Sequence, residues 1–192
     1  SYNLKVKLTS VNGENDGNEN NNIAEKNIEI GMGYASKVPM IEHFSSSTCS
    51  YCVEPNKIIK QVLADNPGKY TYTKYPTKFP GIGDPYTTEE VKNRVNYYQV
   101  KGAPEFYLDG IWKAYEIVSP DDIDSIFGSN TFLDVRGAFT VEGNTINIIA
   151  DFMSYIKIDS VRAFISINEK VTTENVATNG ETEFHHIMMK ML

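Results

Sequence analysis

Cysteine is nearly absent from this 192-residue sequence, with only Cys49 and Cys52 present. Three positions apart, they cannot staple distant parts of a fold, which excludes a structural disulfide framework. Two thiols are too few for a Cys-only zinc site, and His43, His185 and His186 offer no C-x-x-C…H-x-x-x-H spacing, so no metal is expected. No apolar run approaches the roughly 20 residues that span a bilayer, and no basic start followed by an apolar stretch reads as a secretory signal. Positive charge is scarce as well. Eighteen Lys and Arg against 25 Asp and Glu give a formal net charge of -7, so nothing is shaped to hold a polyanion and nucleic-acid binding is disfavoured.

What is present suffices for a packed core, since 41% of the residues are hydrophobic. The length allows one large domain or two small ones. Because the first residues already read as a strand, an upstream signal, lipid or membrane anchor is expected to have been removed.

Residues 4–11 alternate apolar and polar like a half-buried strand, and residues 12–22 are almost wholly Asn, Gly, Glu and Asp, which predicts a loop. A second strand over residues 23–33 completes a hairpin at 1–33. Residues 38–44 read as a central strand and 45–48 as a turn, with Cys49 where a helix begins. Val53, Ile58, Ile59, Val62 and Leu63 carry that helix to an Asn-Pro-Gly stop at 66–68. Residues 69–75 form a strand, 76–87 a Pro/Gly-rich loop, and 88–98 a helix. Asp109-Gly110 predicts a hairpin between strands at 100–108 and 111–117. Ser119-Pro120-Asp121-Asp122 opens a last helix. The module at 34–129 therefore runs β-α-β-α-β-β-α. Residues 130–192 contain four strand-like runs and no helix, the last cut mid-strand. They are expected to pack with the 1–33 hairpin into an all-β, immunoglobulin-like sandwich, because either piece alone leaves an apolar face uncovered.

A strand ending in a turn, C-x-x-C at a helix start, and Gly102-Ala103-Pro104 before a hairpin and a final helix together resemble the thioredoxin superfamily. Glu42-His43-Phe44-Ser45, Cys52-Val53-Glu54-Pro55-Asn56 and His185-His186-Ile187-Met188 are similar to secreted or surface proteins of the Bacteroidetes outer-membrane-protein-twenty-eight-related type. The resemblance implies an α/β thioredoxin-like domain combined with a β-sandwich-like domain, in the cell envelope. It also implies that Pro104 is cis and faces the dithiol, with the Ala103 backbone pairing an extended substrate. The sequence departs from the superfamily in having Thr48 in place of Trp, Ser50-Tyr51 between the cysteines in place of Gly-Pro, and His43 where thioredoxins carry a buried aspartate.

The chemistry expected of the pair is thiol–disulfide exchange. At a helix N-terminus the free N–H groups favour a thiolate, so Cys49 is expected to be the exposed nucleophile and Cys52 the shielded resolving thiol. Tyr51 and Ser50 are placed to touch substrate, and Glu42 or His43 to pass a proton to Cys52. The bland alternatives are an inert disulfide, hydrogen-bonded strand-end residues, and a half-exposed tyrosine. His185 and His186 are expected to alternate faces of a strand, which argues against their sharing a metal. No cofactor is required. The expected partners are protein or peptide thiols and disulfides, and a redox partner protein. Two alternatives use the same residues: a cell-surface binding module with the fold as scaffold, and a peroxidase, for which no peroxide pocket with an Arg is visible.

Overall fold

A computed structural model describes residues 2–14, 16–114 and 116–192. Asn15 of the expected loop and Tyr115 of the expected 111–117 strand lie outside them. The chain divides into two compact units: Ser1–Ala35 with Asn130–Ser160, and Ser36–Ser129 with Val161–Leu192.

The second unit is built on a six-stranded mixed sheet. Its strands are β4 (Met40–Ser45), β5 (Thr71–Pro76), β6 (Glu105–Leu108), β7 (Ile111–Trp112), β11 (Ser166–Thr172) and β12 (Phe184–Met191), in the order β11-β12-β5-β4-β6-β7. β4 lies parallel to β5 and antiparallel to β6, and β12 meets β5 in parallel through Ile187 and Lys74. β4 and β5 are buried along almost their whole length because helices cover both faces. On one face Ile41, Tyr72, Phe106 and Leu108 pack against α1 (Val53–Asp65) and α3 (Pro120–Ile126) through Ile59, Val62, Leu63 and Ile123. On the other, Phe44, Tyr75, Tyr107 and Met188 pack against Val91 of α2 (Glu89–Tyr98).

Local chemistry sets the helix starts. Thr88 accepts the Val91 N–H as the cap of α2. Ser119 and Asp122 form a reciprocal capping box on α3, with Pro120 at its first position. A 3-10 turn at Ser50–Cys52 leads into α1, so Cys49 caps that turn in an extended conformation.

The first unit contains two hairpins. β1 (Tyr2–Lys7) pairs with β2 (Ile23–Ile28), and β9 (Leu133–Glu142) pairs with β10 (Thr145–Ser154). Near the end of β10, Tyr155 exchanges backbone hydrogen bonds with Met32 and Phe132. A Cβ on Gly31 would stand 2.6 Å from the ring of half-exposed Phe132, so a larger residue there requires that ring to move. The two-residue strands β3 (Ala35–Ser36) and β8 (Asn130–Thr131) lie where the chain passes between units.

The expected fold class, an α/β thioredoxin-like domain with a β-sandwich, is overturned. The described residues hold twelve strands and three helices, a mostly β chain whose principal sheet is six-stranded and mixed. Two strands expected in the sandwich, β11 and β12, extend that sheet instead. The reason is apolar: Ile187 and Met188 are buried beside β5, which would otherwise be an open edge, and Phe184 is buried at the start of β12. The remaining strands do not make a sandwich core, since no residue of β1, β2, β9 or β10 is buried.

Candidate functional site

β4 ends at Ser45, and the chain turns through Ser46, Ser47 and Thr48 before the Cys49 N–H closes the turn on the Ser46 carbonyl at 3.0 Å. Cys49 and Cys52 are joined by a disulfide. Both are fully buried at 0% exposure, whereas Tyr51 between them is 84% exposed and Ser50 is also exposed. The exposed Cys49 expected from the sequence is therefore a covered sulfur in this oxidised state. The Cys49 Sγ lies 3.3 Å from the Ala103 carbonyl oxygen. A disulfide sulfur has no proton to donate, so this is a contact, which becomes a hydrogen bond only when Cys49 is a thiol. The Ala103–Pro104 peptide bond is cis, as is Phe79–Pro80.

The turn is fixed from two sides, and Asp84, Asn175 and Asn179, which hold it, carry no motif in the sequence. The buried Asp84 carboxylate accepts the Ser47 N–H at 2.9 Å and the Tyr86 N–H at 2.9 Å, and faces the buried Asn175 amide at 3.4 Å. The Thr48 hydroxyl donates to the Pro80 carbonyl at 2.6 Å. From the segment between β11 and β12, the Asn179 N–H donates to the Ser47 carbonyl at 3.0 Å and its side-chain amide to Ser46. Asn56, on the first turn of α1, accepts from Ser45 Oγ and Lys74 Nζ and donates to Glu181.

Glu42 and His43 point to opposite faces of β4. Glu42 faces α2, where its carboxylate accepts from Arg94 Nε at 2.7 Å, Arg94 Nη2 at 3.0 Å, the Tyr75 hydroxyl at 2.8 Å and the Tyr98 hydroxyl. Both oxygens are thus engaged. Burial and the Glu42 charge hold the Tyr75 hydroxyl far above its ordinary range. For Arg94, burial alone would lower the pKa, but the Glu42 hydrogen bonds and charge outweigh it and raise it. The guanidinium also lies over the rings of Tyr97, Tyr98 and Phe164.

His43 is fully buried, stacks on Phe106 at 4.0 Å between centroids, and shares a 2.8 Å hydrogen bond between Nδ1 and the Tyr72 hydroxyl. Burial, helped by the Lys74 charge, holds it well below the ordinary histidine range, so it is neutral at neutral pH. Either tautomer leaves Nε2 without a hydrogen-bond partner among the described residues.

His185 and His186 do not simply alternate. His186 takes a left-handed φ of 55°, and both residues line one cleft beside α1. His185 pairs with Glu183 at 2.9 Å. Among the described residues no group of three or more His, Cys, Asp or Glu is arranged to hold a metal, and no helix is long and apolar enough to cross a membrane.

No protein-family model and no curated protein matches the chain. Among solved structures it is similar to a protein of Agrobacterium tumefaciens determined by a structural genomics consortium, with a TM-score of 0.50 and 16% identity, covering 82% of this chain and 73% of that one. At that identity the likeness concerns the fold alone.

Proposed function

We propose that the chain performs thiol–disulfide exchange at Cys49–Cys52, on disulfides or dithiols of exported proteins in the cell envelope. The observation that carries this reading is the bonded Cys49–Cys52 pair at the start of α1, with the Ala103 carbonyl against the Cys49 sulfur. The motif-level resemblance to the thioredoxin superfamily supports the chemistry, and that to Bacteroidetes envelope proteins supports the compartment. A lipid or membrane anchor upstream of the chain belongs to the same reading.

In the oxidising direction a substrate thiolate attacks Cys49 Sγ. The Cys49–Cys52 bond breaks, and Cys52 leaves as a thiolate that the start of α1 stabilises. The second substrate thiolate then attacks the substrate sulfur of the mixed disulfide and releases Cys49. Two electrons pass from substrate to protein, the two protons given up by the substrate thiols match those the cysteines take on, and no cofactor enters. The reducing direction is the reverse, with Cys52 resolving the mixed disulfide. Exposed Tyr51 and Ser50 and the Ala103 backbone are the groups offered to a peptide. Because both cysteines are buried, attack requires the chain around them to yield and uncover the Cys49 sulfur, against which the Ala103 carbonyl lies.

A second reading is favoured by that same burial: the disulfide is a staple and the protein is a binding module. Trapping separates the two. A Cys52→Ser variant incubated with a dithiol peptide in its oxidised form is expected to accumulate a mixed disulfide on Cys49. Absence of any adduct on Cys49, with the variant folded, favours the binding module.

A further inference from the structure

Between α1 and residues 179–186 the second unit holds a cleft of about 510 Å³, within the range that takes small molecules. Its walls are Val53, Ile59, Leu63, Tyr70 and Tyr72, apolar or aromatic side chains of α1, β5 and the residue before β5. At its floor lies Lys74, a lysine only 5% exposed. Among the described residues its Nζ has one hydrogen bond, to Asn56 Oδ1 at 3.0 Å, and no carboxylate in ion-pair range. The carboxylates that line the cleft are committed elsewhere. Glu181 accepts from Asn56 at 2.7 Å and Asn179 at 2.6 Å, and Glu183 is held by Lys60 at 3.0 Å and His185 at 2.9 Å.

We propose that this cleft binds a small organic monoanion, a carboxylate with an aromatic or branched apolar body, whose charge meets Lys74 and whose body lies against Tyr70, Tyr72 and Leu63. The Glu181 and Asp84 charges act on this buried ammonium only from beyond ion-pair distance and do not offset its burial, so an arriving carboxylate supplies the direct counter-ion it lacks. A monoanion is preferred to a dianion because Glu181 and Glu183 repel a second negative charge. Burial brings the Lys74 ammonium down to about 8, which leaves it mostly charged at neutral pH. The cleft adjoins the turn network through Asn56 and Asn179, but the proposal does not rest on the redox reading, since binding is measured in the oxidised protein with no exchange step.

The test is an NMR titration of the oxidised full chain with 4-phenylbutyrate, 4-methylpentanoate and the neutral 4-phenylbutyramide. Saturable shifts are expected for residues 53–64 and 179–186, with the amide binding at least about tenfold more weakly than its acid. Lys74→Met is expected to bring phenylbutyrate down to the affinity of the amide. Ala64→Trp, at an exposed position on the cleft wall, blocks both ligands while leaving the Lys74 network intact. Equal binding of acid and amide overturns the proposal, as does unchanged affinity in a folded Lys74→Met protein. So do shifts confined to the hairpins of the first unit, or no saturation by about 10 mM of either acid, a limit that marks negligible affinity.

Discussion

The Asp84 carboxylate accepts the backbone N–H of Ser47, 37 residues earlier, at 2.9 Å, and so pins the turn that delivers Cys49. Asp84→Ala strands that buried N–H, the Tyr86 N–H and the Asn175 side-chain amide, which is expected to destabilise the protein by about 1–3 kcal/mol. The turn also loosens, so reduction of Cys49–Cys52 by dithiothreitol is expected to speed up. Asp84→Asn, which keeps an acceptor, should recover much of both effects. Urea unfolding and timed alkylation of the released thiols measure them.

Glu42 and Arg94 form a buried ion pair whose side chains are 2% and 12% exposed. Removing one partner leaves a buried charge without compensation, so Arg94→Met should cost about 3–5 kcal/mol. The double change Glu42→Gln with Arg94→Met is expected to cost less than Arg94→Met alone, and a denaturant double-mutant cycle reads the coupling.

His43 and Lys74 act with the same sign in two separate pH windows. The folded pKa of His43 lies below its unfolded value of 6.5, so the unfolded chain binds a proton that the folded chain refuses as pH falls below that value. Stability attributable to His43 is therefore lost on acidification, with a slope of about 1.4 kcal/mol per pH unit for one proton. Lys74 falls from 10.5 unfolded to about 8 folded, and its charge weakens the fold below pH 8. That penalty is relieved as pH rises from about 8 to 10.5. Denaturation of wild type, His43→Phe and Lys74→Met across pH 5–10.5 should show each limb flattened in its own variant.

Placement of β12 in the main sheet is tested by truncation. Ile187 and Met188 are essentially fully buried, so replacing either by alanine should cost about 2–5 kcal/mol. Phe139 on β9 is exposed, and its replacement by alanine should change stability by no more than about 0.5 kcal/mol.

Local signals were readable in the sequence. Ser119-Pro120-Asp121-Asp122 and Thr88 mark their helix starts because capping is chemistry between near neighbours. The turn at 45–48 leading to the cysteine pair is legible for the same reason. What escaped was long-range. Strand period places residues on faces but does not name the neighbouring strand, so residues 184–191 read as part of a sandwich when Ile187 in fact pairs beside Lys74. The Asp84, Asn175 and Asn179 links join residues 37 to 133 positions apart. Asp84 carried a faint signal, Asp-Pro after a Gly-rich run, and Lys74 another, a cation inside an otherwise buried strand. Burial of the Cys49 sulfur was invisible locally, because the Ala103 carbonyl beside it comes from 54 residues away.

The most direct test of the exchange reading is a glutathione redox titration of Cys49–Cys52, followed by thiol alkylation and mass spectrometry. The expected result is a reversible two-electron equilibrium with a potential between about -120 and -270 mV, the range of exchange catalysts. A pair that stays oxidised to below about -300 mV contradicts that reading and leaves the disulfide as a staple.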